Sequence, residues 1–523
     1  MAQLIHELIG DMAWRTPAAQ ALRCGEAGYD YATLADAVGQ AAQGFLGLGL
    51  ERHERVAVFL EKREEAVLAM FGATAAGGVA VPIDPQLKPA QVGHILRDSG
   101  ARVLVTSPGR LAVLDLVLAQ CPALRHVLHT GTEALSLPGL GVQRWTDSLD
   151  NGTRPAHRCI ESDVAALLYV GGANGLPKGV VVSHRNLVAG AHSLARCLGN
   201  SHQDRILALL ALSSADGLAQ LTSAFASGAA VVLMNPLLVR DIPDMVARER
   251  ITGLAATQPL WTQLAAIEWH GCQRLRYLTN GGGALVPATV AALRARLPHS
   301  AVYLMHGQAE GFCATYLAPH QLARRADSIG KALPNAEVMV VAPDGRQCAA
   351  NEAGELVQRG PLVALGYWND PAATAERFRP LRPLGAVAVA EMALWSGDTV
   401  RMDEDGYLYY LGRRDDLILT GGHRVGPSEV EEVVCATGLV VEAGAIGVPH
   451  PVLGQGIVVV AQARAGVDVD CAVLMAACRA RLPASMLPVR IVLRDAGLPH
   501  APDGMVDRSA LRAELTAQAC ALP

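Results

Sequence analysis

Short apolar runs and longer segments of helical periodicity alternate from early in the chain. RVAVFL (55–60) reads as a buried strand, EKREEAVLAMFGATAA (61–76) as an amphipathic helix ended by Gly77 and Gly78, and VAVPI (79–83) as the next strand. PAQVGHILRDSG (89–100) then gives a helix closed by Gly100, and ARVLVTS (101–107) a further strand. The pattern returns between 163 and 305, where ILALLAL, AAVVLM, GLAAT and LRYLTNGGG are the strand candidates. Such alternation predicts an α/β fold of parallel or mixed sheets flanked by helices.

After about residue 385 the texture changes. YLYYLGRRDDLILTGGHRV (407–425) alternates apolar and polar residues around Gly421 and Gly422, and reads as one β-hairpin. PSEVEEVV follows, with Ser428 and Glu431 spaced as a capping box that opens a helix. IVVVAQA, CAVLMAACRARL and VRIVLR complete a small α+β unit. The expected division is a large domain over 1–411 and a small one over 412–523. At 523 residues the chain is too long for a single ordinary core.

One uncharged stretch, 217–239, is long enough to test as a membrane span. Gln220, Thr222, Ser223, Ser227, Gly228 and Asn235 interrupt it, so helix, turn and strand fit better. The first residues carry no basic segment followed by an apolar one, so a cytoplasmic protein is expected. A net charge of −5 leaves no electrostatic footprint for nucleic acid. The eleven cysteines include no C-x-x-C pair, which argues against a structural zinc site or a disulfide framework. Only four lysines occur: Lys62, Lys88, Lys178 and Lys331.

The first chemical candidate is YVGGANGLPKG (169–179). A glycine-rich loop after a strand can turn its backbone N–H groups on phosphate, with Lys178 adding charge. Alone it reads better as a surface turn, because it is not G-x-x-x-x-G-K-[ST]. The chain continues with NGGGA (280–284), HGQAE (306–310), DSIGKALPNAEV (327–338) and GELVQRGPLVALGYWNDPAATAERF (354–378). SGD (396–398), GRRDD (412–416), GGHRVGPSEVEE (421–432) and PHAPDGMVDR (499–508) complete the series.

In order, spacing and wording these segments resemble the adenylate-forming superfamily of acyl-CoA synthetases, peptide-synthetase adenylation domains and luciferases. Even GGVAVPIDP (77–85) is similar to that family's early signature. Within it the chain most resembles the AMP-forming ligases associated with the bacterial exosortase system. The resemblance implies a large N-terminal domain and a small mobile C-terminal one. It implies ATP and AMP with Mg²⁺, and CoA or a phosphopantetheine thiol as acceptor. The partners it implies are a small carboxylic or amino acid and, in some members, a carrier protein.

The resemblance also assigns roles. Asp398 is similar to the aspartate that accepts from both ribose hydroxyls, and Arg413 to the arginine that meets ribose or phosphate. Glu310 matches the glutamate that holds Mg²⁺, a hard oxygen ligand for a hard ion. Gly172, Asn174 and Gly175 fall in the phosphate loop, and Gly281, Gly282 and Gly283 in the wall of the adenine and acyl pocket. His306 stands where an aromatic often meets adenine or the acid. Asp415 sits at the hinge residue, and Gly422 and Arg424 lie on the hairpin that guides pantetheine.

Several positions depart from the family pattern. Its phosphate loop is rich in hydroxyls, whereas here it reads Val170, Gly171, Gly172, Ala173, Asn174 and Gly175. Ala309 replaces the threonine before the glutamate. ALSSADG (211–217) lacks the usual aromatic or histidine of the acyl gate, which should leave that side open or polar. Met505 stands where the family has the lysine that bridges substrate carboxylate and α-phosphate, and no lysine follows Lys331. Arg490 and Arg508 are the nearby cations, each a rigid fork rather than a mobile point charge. Losing one such transition-state stabiliser typically costs ~10²–10³ in rate. Three functions follow: a slow ATP-dependent acid:thiol ligase, an enzyme of the second half-reaction using a preformed adenylate or thioester, or a nucleotide- or acyl-binding scaffold.

Overall fold

A computed structural model describes residues 2–171, 176–281, 285, 287–381, 391–413, 417–464, 469–494, 496–500 and 506–520. The expected α/β class is found: a large N-terminal sheet domain and a small C-terminal domain. The large domain carries two extended sheets. In the eight-stranded one, Val79–Pro82, Arg55–Phe59, Val103–Thr106 and His126–His129 run parallel, as their alternation with helices required. The fourteen-stranded one is parallel from Gln20–Cys24 through Ala301–Gln308 and antiparallel beyond. The parallel strands expose their carboxyl ends together, the place where open α/β sheets collect ligands.

The helix expected at 61–76 forms as Glu64–Ala75, but it is not amphipathic. Nine consecutive residues, 66–74, are buried. The helix lies inside the main core between neighbours on both sides, and a Cβ on Gly72 would stand 2.7 Å from the Ala41 Cβ. A helix covered all round reads as uniformly apolar. Helix Pro89–Ser99 ends as predicted, with Gly100 left-handed at φ 60°. The stretch tested as a membrane span is helix Ala215–Ser227, left-handed Gly228 and strand Ala230–Leu233. Among the described residues no helix is long and apolar enough to cross a membrane.

Around the domain junction the sequence reading needs two corrections. The segment read as one long hairpin splits. Leu408–Arg413 joins the large sheet between Met392–Met402 and Ser328–Ala332, and only Ile418–Thr420 with His423–Val425 form the hairpin. Its two-residue turn puts Gly421 at φ 57° and Gly422 at φ 87°, the pair of positive values a type I′ turn demands. The capping box does not form either. Pro427 opens the helix, Gly426 is its N-cap, and Glu431 instead accepts from the Ala445 N–H and the Arg508 guanidinium. Proline's fixed φ suits the first helical position, so the helix starts before Ser428. The small domain's five-stranded sheet is packed by helices Pro427–Cys435 and Cys471–Arg481 on its own apolar cluster.

Candidate active site

The loop singled out by its glycines joins antiparallel strands Val164–Val170 and Lys178–Ser183, with Val170 opposite Lys178. No helix follows directly: His184–Leu198 begins only after Ser183, which caps it. Lys178 stands at the base of the loop, its Nζ 2.9 Å from Asp370 Oδ2 and 5.7 Å from the Tyr367 ring centroid. Asp370 in turn caps helix Pro371–Arg377 through the Ala373 N–H. Gly172, Asn174 and Gly175 lie outside the described residues, as do Gly282, Gly283, Asp415 and Met505.

The ribose candidates come together on neighbouring strands. Asp398, in Met392–Met402, pairs in register with Arg413 at the end of Leu408–Arg413. The Asp398 side chain is buried, and its Oδ2 lies 3.2 Å from His306 Nε2. The His306 ring is tilted against Tyr410 at 5.8 Å. Backbone holds Asp398 in place: its N–H donates to Ser396 Oγ at 3.1 Å, and that of Gly397 donates to buried Glu355 at 3.0 Å. Gly281 ends the parallel strand Tyr277–Asn280, where a Cβ would stand 2.6 Å from Leu210 Cδ1 and 3.4 Å from an Asp216 oxygen. On the acyl-gate side this glycine therefore faces both the apolar Leu210 and the Asp216 carboxylate, and Ser214 there caps helix Ala215–Ser227.

Glu310 is only 2% exposed. Its Oε1 accepts from the Tyr367 hydroxyl at 2.8 Å, and Arg424 Nη1 donates to Oε1 at 3.2 Å and Oε2 at 3.0 Å. Arg424 Nη2 also donates to Gln308 at 2.5 Å. Burial pushes the Glu310 carboxyl up, but Arg424, then Arg377 and the Tyr367 hydroxyl, hold it below the ordinary value. Ala309, beside it, packs against the main core.

Arg424 belongs to the small domain, so its hairpin is wedged into the large one. The Arg424 carbonyl lies directly over Gly171, where any Cβ would overlap it. Burial holds the His423 imidazole below its usual value against the opposing pull of Asp84. Nearby, Gln91 Nε2 donates to Glu429 Oε1 at 2.5 Å and approaches Met486 Sδ at 3.8 Å. Arg508, one of the two cations considered in place of the missing lysine, is buried and committed to both oxygens of Glu431 at 2.8 and 2.9 Å. Arg490 is exposed on strand Arg490–Arg494.

Residues 11–368 match the AMP-binding enzyme family, and residues 429–504 match the AMP-binding enzyme C-terminal domain. The chain belongs to the AMP-binding enzymes. Its relatives in this family are AMP-forming acyl-CoA ligases and their like. The long-chain-fatty-acid–CoA ligase of Salmonella typhimurium is 29% identical over 90% of this chain and 86% of that one. The sulfoacetate–CoA ligase of Cupriavidus necator is 30% identical over 91% of each. The o-succinylbenzoate CoA synthetase of Bacillus subtilis shares the fold in two complexes. With a CoA product analogue it matches at TM-score 0.82, 24% identity, over 97% of this chain and 98% of that one. With its acyl-adenylate it matches at 0.68, 25% identity, over 97% of both. Both complexes share the overall fold of this AMP-binding enzyme, the CoA complex at the higher TM-score.

Sequence reasoning placed Asp398, Arg413, Glu310 and Arg424 in the site but did not pair Arg424 with Glu310. It passed over Tyr367, Gln308, Asp370, Gln91 and Glu429. All five lay inside quoted segments, yet nothing in a linear pattern says which side chains two domains bring face to face.

Proposed function

We propose that this chain is an AMP-forming acid:thiol ligase with slow adenylation, its small domain beginning near residue 412 and turning about Asp415. The observation that carries this is the seated hairpin: strand His423–Val425 lies against Gly171 and Glu310. That arrangement suits attack of a thiol on an acyl-adenylate already in place. In this reading Asp398 accepts from the ribose hydroxyls and His306 orients it, with Arg413 at the register position opposite Asp398 on the paired strand. Lys178, released from Asp370, reaches the phosphates. The residues fit the metal the family uses, because a buried carboxylate, Glu310, already has a cation on both oxygens. When bound there, Mg²⁺ supplies positive charge to the phosphates. From the relatives we take the reaction, acid plus CoA, and neither acid. A carrier-protein thiol is the alternative acceptor.

A second reading, an enzyme of the second half-reaction alone, draws on the hydroxyl-free loop and Met505. Two assays separate these from the scaffold. Acid-dependent pyrophosphate exchange reports adenylation, and thiol-dependent turnover of a synthetic acyl-adenylate reports the second step. The ligase reading expects slow exchange that Met505→Lys raises, with adenylate turnover little changed. The gain stays partial, since Val170, Ala173 and Ala309 still lack hydroxyls. Turnover without exchange in either protein selects the second reading. If neither protein exchanges nor turns over any adenylate, the enzymatic readings both fall.

A further inference from the structure

The contact between Glu310 and Arg424 joins a buried carboxylate of the large domain to a guanidinium of the small one. Both side chains are well covered, at 3% and 14% exposure, and both carboxylate oxygens are engaged. We propose that Arg424 and a divalent cation are alternative partners of Glu310, so that the seated hairpin and a metal–triphosphate exclude one another. This rests on the reading of Glu310 as the metal carboxylate.

The argument is one of space and charge. Mg²⁺ takes oxygen ligands at about 2.0–2.1 Å and keeps several waters around it. A guanidinium nitrogen 3.0 Å from Oε2 and 3.2 Å from Oε1 occupies the ground that this water shell needs. Two cations on one carboxylate in a low-dielectric site also repel strongly. Arg424 cannot step aside alone. Its second nitrogen is held by Gln308, and its carbonyl is packed on Gly171 in a strand paired with Ile418–Thr420. Freeing Glu310 therefore withdraws the hairpin. Conversely, a buried carboxylate that loses its metal needs a new countercharge, and Arg424 provides it as the hairpin enters. The switch from one half-reaction to the other is thereby tied to departure of the metal with pyrophosphate. By linkage the docked hairpin weakens metal binding by the same factor that metal weakens docking.

Calorimetry with Mg²⁺·ATP, and with AMP in the absence of metal, tests this on the full chain carrying Arg424→Gln, Arg424→Lys, Glu310→Gln or both glutamine changes. Arg424→Gln should bind Mg²⁺·ATP about 5- to 150-fold more tightly than wild type, the usual span of a coupling between sites. Metal-free AMP should bind both alike. Arg424→Lys, which keeps the charge and guards against loss of folding, should fall between. In the Glu310→Gln background the Arg424 change should have no effect. Small-angle scattering gives a readout independent of activity: Mg²⁺·ATP should alter the wild-type profile toward that of unliganded Arg424→Gln. Equal Mg²⁺·ATP affinity in wild type and Arg424→Gln, with Glu310→Gln weaker, overturns the exclusion and leaves the ligase reading standing. Glu310→Gln binding Mg²⁺·ATP as wild type does overturns the metal assignment and the inference with it.

Discussion

Asp398, proposed as the ribose carboxylate, is fixed by contacts within the chain itself. Its carboxylate is buried, faces His306 Nε2 at 3.2 Å, and is set on a strand whose N–H groups are fixed by Ser396 and Glu355. A carboxylate so held offers acceptors to two hydroxyls at small reorganisation cost. Asp398→Ala should weaken AMP binding by about 1–3 kcal/mol, the size of hydrogen bonds to a charged group. Calorimetry showing equal AMP affinity in the two proteins would sink the assignment. Both this aspartate and Glu310 stood out in the sequence because SGD and HGQAE fall in a series of ordered motifs. Their pairings with His306 and Arg424 did not, since His306 lies 92 positions from Asp398 and Arg424 lies 114 from Glu310.

At the scale of elements, the hairpin Ile418–Thr420 and His423–Val425 is the piece that links the domains, and Gly171 is where it lands. A glycine is required there for clearance and not for an unusual backbone angle, because the obstacle is the Arg424 carbonyl. Gly171→Ala puts a methyl into that carbonyl, and neither backbone can yield without moving a strand. Overpacking of this kind costs about 1–3 kcal/mol. Thiol-dependent turnover of a supplied acyl-adenylate should drop about tenfold or more, while AMP affinity holds. A variant that turns over adenylate at the wild-type rate would show that the seated hairpin is not the productive arrangement.

Across the whole molecule the two domains also meet at Glu429, buried against Gln91 and Met486. Burial raises its carboxyl to about 7, with Gln91 opposing the rise and Glu432 adding to it. In any state where Glu429 reaches water, undocked or unfolded, it returns to the ordinary value near 4.5. The docked form therefore holds one more proton between about 4.5 and 7. Docking is strongest below that window, weakens as pH rises through it, and is level above. Glu429→Gln, always neutral, should stabilise the docked protein at pH 8 by about 1–3 kcal/mol, at ~1.4 kcal/mol for each tenfold difference in proton affinity. The gap in melting temperature between variant and wild type should widen from about pH 5 to pH 7 and then stay constant. A gap independent of pH would exclude the ionised carboxylate as its cause.

Local signals carried much of this. Apolar runs between helical segments determined the parallel sheets, because a strand buried on both faces has to be apolar throughout. Gly100 and Gly228 marked helix ends, and Gly421 with Gly422 a turn, since positive φ excludes most other residues. The ordered motifs determined the family. Tertiary structure alone decided that Leu408–Arg413 belongs to the large sheet, that helix Glu64–Ala75 is enclosed on every side, and that Glu431 serves Arg508 and not a helix cap. It alone decided that Arg424 neutralises Glu310. The reason is physical: strand partners, burial and countercharges are settled by which distant segments compete for one space, and neighbours in sequence hold no record of that competition.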